Sequence, residues 1–521
     1  MSQVRVKTMV WRGAGEAESE PVAPPFDVLA EHYTLHWEPA RTADRGYVDT
    51  PDLRLHDKGV SLVHDRFAGR AARETLTVMP AEGPSATSSA AAVWPSFAAA
   101  LDAEIRDRIS DLAGIRALLP VSRARVRVRV ARVLDDESKT VVRLVCEEPR
   151  TTEPERVVLT PSVAIHGVRG YDAAHDHVAE LLTAAGFAAD ETGPAASALA
   201  ATGVLARREA ASAASATMVA DQPARVAVAT ALLQFLDAIE SNVDGTVDDI
   251  DTEFLHDLRV GVRRTRALLK LAGDVLPDRL AARYAPHFKW LGDLTTPNRD
   301  LDVHLLGFDD LATHLRVADP DDLEPFRAHL DKRRATRRRQ LVRSLQSARF
   351  ATLVRDWRTA LTATLTTDDV AGAPTAGELA ADRIAEAHRR VVKRARKISP
   401  DAPSDTVHDL RKRCKELRYL LEVFGPLHDE AAQRRVIRDL KRVQDSLGEF
   451  QDAEVQLTAL RSYAEEMAAA GTGTAACLLA MGELTSTYPD RMRLDDLGER
   501  LDRYLGGKTR NHLRDLGGDA S

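Results

Sequence analysis

The stretch His256-Asp257-Leu258-Arg259-Val260-Gly261-Val262-Arg263-Arg264-Thr265-Arg266 has an echo in His408-Asp409-Leu410-Arg411-Lys412-Arg413-Cys414-Lys415-Glu416-Leu417-Arg418. Wound into a helix at about 100° per residue, His256, Arg259, Arg263, Arg266 and Lys270 fall within a stripe roughly 80° wide. Leu255, Leu258, Val262 and Leu269 fall on other faces, where they can meet a core. In the echo, His408, Arg411, Lys415 and Arg418 share that phase, and Lys412 lies beside it. A helix that needed only solubility would interleave Glu with Lys and gain i,i+4 pairs. Here like charges stack one turn apart, which costs stability unless an anion sits over them. One such face alone is ordinarily a solvated surface. A face built twice asks for a ligand.

The repeat runs beyond the two helices. A shift of 152 residues, without a gap, places Arg266 on Arg418, Leu268 and Leu269 on Leu420 and Leu421, and Gly273 on Gly425. Further along, Lys289 meets Lys441, Asp293 meets Asp445, Asp300 meets Asp452, and Val303 and Leu305 meet Val455 and Leu457. Apolar matches mean only a shared core, whereas matched His, Arg, Lys and Asp mean that one polar constellation was built twice. A period this long is too large for a solenoid and predicts two similar helical halves about a pseudo-two-fold axis.

The chain of 521 residues is long enough for more than one domain. Its formal charge of −7 argues against a generic nucleic-acid coat. The basic character is local: residues 381–450 hold 17 Lys/Arg against 12 Asp/Glu. Cys146, Cys414 and Cys477 are too scattered for a disulfide framework or a ligand set, which suits a reducing cytoplasm. No signal peptide and no run of about 18 apolar residues is read from the sequence, so the expectation is a cytoplasmic chain without a membrane span.

Before the repeat the pattern is different. Val4 to Val10 alternates like a strand, and a polar stretch with Glu16, Glu20 and prolines follows. The runs Tyr47-Val48-Asp49-Thr50-Pro51-Asp52-Leu53-Arg54-Leu55, Lys58-Gly59-Val60-Ser61-Leu62 and Glu74 to Pro80 suggest an antiparallel sheet. Phe97, Leu101, Ile105 and Ile109 recur at helical spacing, and strands resume at Ala124 to Val130, Thr140 to Cys146 and Arg156 to Leu159. Alternation over Arg123, Arg125, Arg127 and Arg129 puts four guanidinium groups on one face of a strand. That face could line an anion-binding interior or look out to solvent. Tyr171 to Phe187 reads as a closing helix, and 191–221 as an Ala/Gly/Ser-rich linker. From 222 the chain is helical, with candidates at about 278–295, 300–314, 320–347, 349–366 and 376–398. Others lie at about 404–424, 428–447, 450–470, 474–487 and 494–505, and 366–376 separates the halves 222–366 and 376–510.

On these marks, residues 1–190 resemble the CYTH family, the triphosphate tunnel enzymes, through Tyr47-Val48-Asp49-Thr50-Pro51, Lys58-Gly59 and the Arg-rich strand. The resemblance implies an α+β unit whose antiparallel sheet forms a tunnel-like β-barrel, with interior cations for a triphosphate and carboxylates for a divalent metal. Such chemistry needs both sets. This sequence departs from the pattern. The opening strand has no Glu pair, the third strand offers Thr77 and Val78 where a lysine is expected, and Val63-His64-Asp65-Arg66 is short of arginine. Val163-Ala164-Ile165-His166-Gly167 lacks the late carboxylates, leaving Glu147 and Glu148 as a weak metal-facing remnant. The expectation is a degenerate, non-catalytic domain.

Residues 222–510 are similar to the CHAD family, the conserved-histidine α-helical domain. The likeness rests on the two His-Asp-Leu-Arg helices, Arg299-Asp300-Leu301-Asp302-Val303, Lys441 and Gln451-Asp452. It implies an all-α domain of two bundles related by a pseudo-two-fold, with a basic cavity between them that binds inorganic polyphosphate. Physics agrees, because a flexible polyanion calls for cations at intervals: arginine as a bidentate fork, lysine as a point charge. Arg259, Arg263, Arg266, Arg411, Lys415 and Arg418 are the expected primary donors, with Lys270, Lys289, Lys412 and Lys441 secondary. Two roles are open to His256 and His408: donation to phosphate, or a structural bond to the opposite helix or to Asp300 and Asp452. The two Asp could instead orient arginines. The runs Lys332-Arg333-Arg334, Arg337-Arg338-Arg339 and Lys393 to Lys397 read as solvated faces.

The function expected is therefore non-enzymatic binding of polyphosphate or another polyanion, at polyphosphate granules in the cytoplasm, with neither cofactor nor metal. A metal-dependent triphosphatase in the first domain is the competing reading. Nucleic-acid binding is weaker, since neither basic helix is flanked by an aromatic stacking platform.

Overall fold

A computed structural model describes residues 5–11, 25–68, 73–80, 85–89, 91–190, 192–209, 218–366, 372–399, 402–488 and 497–506. Val4, the polar stretch with Glu16 and Glu20, part of the expected linker (210–217) and part of the segment between the halves (367–371) lie outside them. The chain forms two compact units, Met1–Ala210 and Ala211–Ser521.

The first unit is a ten-stranded sheet. Its strands are β1 (Val6–Trp11), β2 (Thr34–Trp37), β3 (Arg41–Asp49), β4 (Ser61–Phe67), β5 (Arg73–Met79), β6 (Ala86–Ser88), β7 (Leu119–Leu134), β8 (Thr140–Glu153), β9 (Ser162–Gly167) and β10 (Phe187–Ala189). They run in the order β10-β1-β9-β8-β7-β3-β4-β5-β6, with β2 also on β7, and every pairing is antiparallel. Among the described residues the two ends of this path do not pair, so the barrel expected from the sequence is present as a sheet with β10 and β6 at its ends.

The period of two sorts the faces. Ala43, Arg45 and Tyr47 of β3 and Ala124, Val126 and Val128 of β7 are buried on one side. The helix Pro194–Ala201 sets Ala195 and Ala198 against Tyr47, Val63, Val126 and Val128. The sequence reading assigned this helix to a linker because its side chains are small. Small side chains are what allow a helix to lie close on a sheet, and it belongs to the first unit.

The second unit is helical throughout its described residues, and its two halves obey the shift of 152. Helix Ala224–Ser241 corresponds to Ala376–Ala395, and Ala227, Val228, Leu232 and Ile239 are buried like their partners Leu379, Ala380, Ile384 and Val391. The signature helix Thr252–Ala272 corresponds to Ser404–Val423. The long helix Leu280–Leu306 corresponds to Glu430–Ala469. The axis itself is visible in the backbone. Pro223 bridges its own repeat partner Thr375, Ala224 N donates to Pro374 O at 3.0 Å, and Ala376 N donates to Gln222 O at 2.8 Å. These two bonds are one contact written twice, as a two-fold requires.

Both long helices correct the sequence reading, which broke each into two. Pro286 and Pro297 sit inside Leu280–Leu306, and Glu430–Ala469 runs 40 residues uninterrupted. An interior proline loses one hydrogen bond and ordinarily kinks a helix. Here Tyr284, Phe288, Leu291 and Leu301 are buried on both sides of the prolines, and packing outweighs that loss. One apolar core takes residues from both halves, and a second joins Leu301, Phe326 and Leu330 to Ala453, Leu460 and Met467. Among the described helices, Ala224–Asp248 alone is long and apolar enough to cross a membrane by length and composition. Its Val228, Leu232, Leu236 and Ile239 lie in the first of these cores.

Candidate functional site

Asp251 caps the first signature helix, accepting from Glu253 N at 2.9 Å and Phe254 N at 3.2 Å. Leu255, Leu258, Val262, Leu268 and Leu269 anchor one face in the core. Val407, Leu410, Cys414, Leu417, Leu420 and Leu421 do the same for the second. The cationic stripes are thereby turned off the core. Gly292 lets Arg266 lie against the neighbouring long helix, since a Cβ there would stand 2.6 Å from Arg266 Nη1.

The arginines at the heads of the stripes are oriented differently. Arg259 donates to Thr296 Oγ1 at 2.6 Å and Thr295 Oγ1 at 3.4 Å, both neutral partners. Its equivalent Arg411 donates to Gln451 Oε1 at 2.8 Å and Asp452 Oδ1 at 3.0 Å. Asp452 thus holds an arginine, whereas Asp300 makes no hydrogen bond to Arg259 among the described residues. Burial raises the Asp300 pKa, against the charges of Arg259, His304 and Arg299. Burial lowers the Arg259 pKa, and Arg263, Arg299 and Arg266 add to the effect against Asp300.

Lys415 stands among cations. Burial first, then Arg411, Arg263 and Arg418, pull its pKa down to about 8 against the opposing charge of Asp452. Arg263 lies 5.9 Å from the centre of the Tyr419 ring. Among the described residues, Arg263, Arg266, Lys412, Lys415 and Lys441 have no carboxylate partner in an ion pair. Arg259 has only its threonines, and the remaining expected Arg and Lys donors do have one. Lys270 Nζ is 2.6 Å from Glu416, Arg418 Nε is 2.7 Å from Glu422, and Lys289 Nζ is 2.5 Å from Asp293.

The histidines divide. His408 Nδ1 is bonded to Gln451 of the adjacent long helix. Burial, with Arg299 beside it, lowers the His256 pKa and favours the neutral ring. Arg299 itself is committed to the head of the first signature helix, donating to Thr252 O at 3.0 Å.

Sequence reasoning missed Thr295, Thr296 and Tyr419. Tyr419 follows Lys415 by four residues and so lies in the stripe's phase; an aromatic counted with the cations would have been found. Its ring faces the Arg263 guanidinium and is only partly exposed. The run Lys332-Arg333-Arg334 is likewise not simply solvated. Arg334 pairs with Asp249 and Asp302, each at 2.6 Å, and Arg333 pairs with Glu466 over the Tyr463 ring.

The first unit offers a different arrangement. Arg45, 6% exposed, donates to Asp65 at 2.7 and 2.8 Å and to Glu147 at 2.6 and 2.7 Å. Burial opposes that charge, but Glu147 and Asp65 outweigh it and hold the Arg45 pKa well above its ordinary value. Glu148, one residue on, points the other way and pairs with Arg127 and Arg129. Arg123 and Arg125 pair with Glu153 and Asp44, so the arginine row takes the outward face of its strand. Among the described residues, no group of three or more His, Cys, Asp or Glu could hold a metal ion.

Comparison with known families fits this geometry: residues 230–461 match the family model described as CHAD domain. The chain carries a CHAD domain. Among solved structures, it is similar to the crystal structure of the CHAD domain from the plant Ricinus communis, with 27% identity and a TM-score of 0.47. That match covers 55% of this chain and 93% of the other. PptA from Streptomyces chartreusis matches at 14% identity and a TM-score of 0.42, covering 55% of this chain and 99% of that one. The PH1819 protein from Pyrococcus horikoshii OT3 matches at 11% identity and a TM-score of 0.23, covering 39% and 99%. No curated protein matches the chain. The matched span of the CHAD domain takes in both signature helices.

Proposed function

We propose that the CHAD domain binds inorganic polyphosphate without catalysis, on the surface where the two signature helices meet, and so places the protein at polyphosphate granules. The observation that carries this reading is the set of uncompensated cations at the axis. Arg263 and Lys415 act on each other, Arg266 has no ion pair among the described residues, and Lys415 is pulled down to about 8. Such a cluster is destabilising by itself and is relieved by an anion. Arg259, Arg263, Arg266, Arg411 and Lys415 are the principal donors. Lys412 and Lys441 extend the grip. Arg418, Lys270 and Lys289 join only where phosphate displaces their carboxylates.

The sheet unit is read as non-catalytic. Enclosure of Arg45 between two carboxylates supports this, because neither the guanidinium nor Glu147 is left to grip a phosphate or a metal.

Titration of labelled long-chain polyphosphate at several salt concentrations tests the proposal. Affinity should fall steeply with salt, as for a polyanion that sheds counterions on binding. An Arg263→Glu/Lys415→Glu variant should lose at least a hundredfold in affinity. Equal binding by the variant would move the ligand elsewhere, and no binding by the wild type would end the reading.

A further inference from the structure

The duplication also built a second feature twice, and one copy has the more charged lining, since the other holds only the paired Arg264 and Glu422. A cavity of about 500 Å³ is lined by Lys270, Asp274, Arg279, Arg383, Glu386 and Arg390 together with an apolar wall that includes Leu269, Leu276 and Ala387. A cavity of about 320 Å³ lies at the repeat-related place, lined by Glu422, Val423, Pro426, Ala231, Gln234 and Phe235 among others. The correspondence is residue by residue under the shift of 152. Lys270, Leu271 and Asp274 become Glu422, Val423 and Pro426, while Arg383, Glu386 and Ala387 stand where the other copy has Ala231, Gln234 and Phe235.

The differences run in one direction. At the larger cavity Arg383, Arg390 and Ala387 stand where the other half has Ala231, Ala238 and Phe235. One copy thus has more charge and more space than the other. Its lining holds four cations against two acids, and with Lys270 paired to Glu416 beside it one positive charge is left over. Arg383 is paired with Asp274, and Arg390 with Glu386. Arg279 has no ion pair among the described residues, and its backbone is held at φ +53°, a region that residues other than glycine enter at a cost. The volume lies within the range of about 300–1,000 Å³ usual for small-molecule sites. A cationic rim beside an apolar wall is shaped for a ligand with one doubly negative end and one flat apolar body.

We infer that the larger cavity is a binding site for a phosphate monoester carrying a planar apolar group, of the class of nucleoside monophosphates. Arg279, Arg383 and Arg390 hold the phosphate, and the wall of Leu269, Leu276 and Ala387 takes the ring. The second cavity, with Phe235 in the space and Ala231 in place of Arg383, does not bind it. The site is independent of the polyphosphate surface except for Lys270, which belongs to both.

The test is calorimetric titration of the full chain with AMP and with phenyl phosphate, with adenosine and inorganic phosphate as half-ligands. At least one monoester should bind, at least tenfold more tightly than either half-ligand. Ala387→Phe copies the lining of the other cavity and should abolish the binding while polyphosphate binding persists. Arg390→Ala, at an exposed position, should weaken it at least tenfold and carries the test if the filled variant does not fold. The inference is overturned if neither monoester binds, if inorganic phosphate binds as tightly as AMP, or if Arg390→Ala binds like the wild type.

Discussion

Arg263 and Lys415 are the same position in the two halves of the helical unit, and each lies within the electrostatic reach of the other across the axis. A two-fold brings equivalent residues together at its axis, so a cation placed once by the sequence becomes a like-charge pair in the fold. Two consequences of that meeting can be measured.

The first is a pH dependence of binding. In the free protein the Lys415 pKa is pulled down to about 8. A polyanion over it restores the ordinary, higher value. Between the two values binding takes up a proton. Affinity for polyphosphate should therefore be level below about pH 8 and fall above it, by at most about tenfold per unit for one proton. Lys415→Arg, protonated throughout, should flatten the profile. A wild-type profile level up to pH 10 would remove Lys415 from the site.

The second is a stability gain on losing the charge. An unfolded lysine keeps its proton to about pH 10.4, so the unfolded state binds more protons between about 8 and 10.4 and stability rises with pH across that window. Below it the full repulsion is present. Lys415→Met should raise the unliganded melting temperature at neutral pH by the equivalent of about 0.5–1 kcal/mol, discounted for a partly exposed and screened group. The gain should shrink in high salt and above pH 9, while polyphosphate affinity drops.

The same axis relates the two ion pairs that flank this cluster. Lys270 meets Glu416, and Arg264 meets Glu422 at 3.1 Å. Under the shift, Arg264 corresponds to Glu416 and Lys270 to Glu422, so one contact occurs twice with its polarity reversed. Glu416→Lys alone should destabilise the unit and add repulsion beside Arg413. Combined with Lys270→Glu it should recover part of the loss, with a coupling of about 0.5–1 kcal/mol in a double-mutant cycle. Strict additivity would mean that the pair contributes nothing.

These relations mark where sequence reading stops. The duplication was legible because His256/His408, Arg259/Arg411 and Asp300/Asp452 recur in register, and the core face was legible from the spacing of Leu255, Leu258 and Val262. Which cations carry net charge was not, because Glu416 and Glu422 reach Lys270 and Arg264 from the other half of the sequence. The break read between 295 and 300 is absent, since a local pattern does not see Phe288 and Leu301 locked in cores on either side of Pro297. In the sheet unit, alternation placed Arg123 to Arg129 on one face but could not say which face was inward. Arg45 drew no notice, because its partners Asp65 and Glu147 lie on other strands.

Arg45 supplies the last test. It is the only cation, among the described residues, shared by Asp65 and Glu147, and Glu147 owes its lowered pKa to Arg45 against the opposing effect of burial. Arg45→Leu would leave two carboxylates facing each other in a poorly hydrated place, at a cost of about 3–5 kcal/mol. Without the guanidinium, burial is left to push the Glu147 carboxyl above its unfolded pKa, so the variant should regain stability as pH falls toward 5, opposite in sign to the wild type. Arg45→Leu/Asp65→Leu/Glu147→Leu should be far less destabilised than the single variant, since an apolar replacement of a whole buried ionic group is often neutral. Circular dichroism and melting at pH 5 and 7.5 separate the cases, with polyphosphate binding by the helical unit as the internal control. A single variant as stable as the wild type at pH 7.5 would show that water reaches Asp65 and Glu147, and would reopen the interior of the sheet as a place for phosphate or metal.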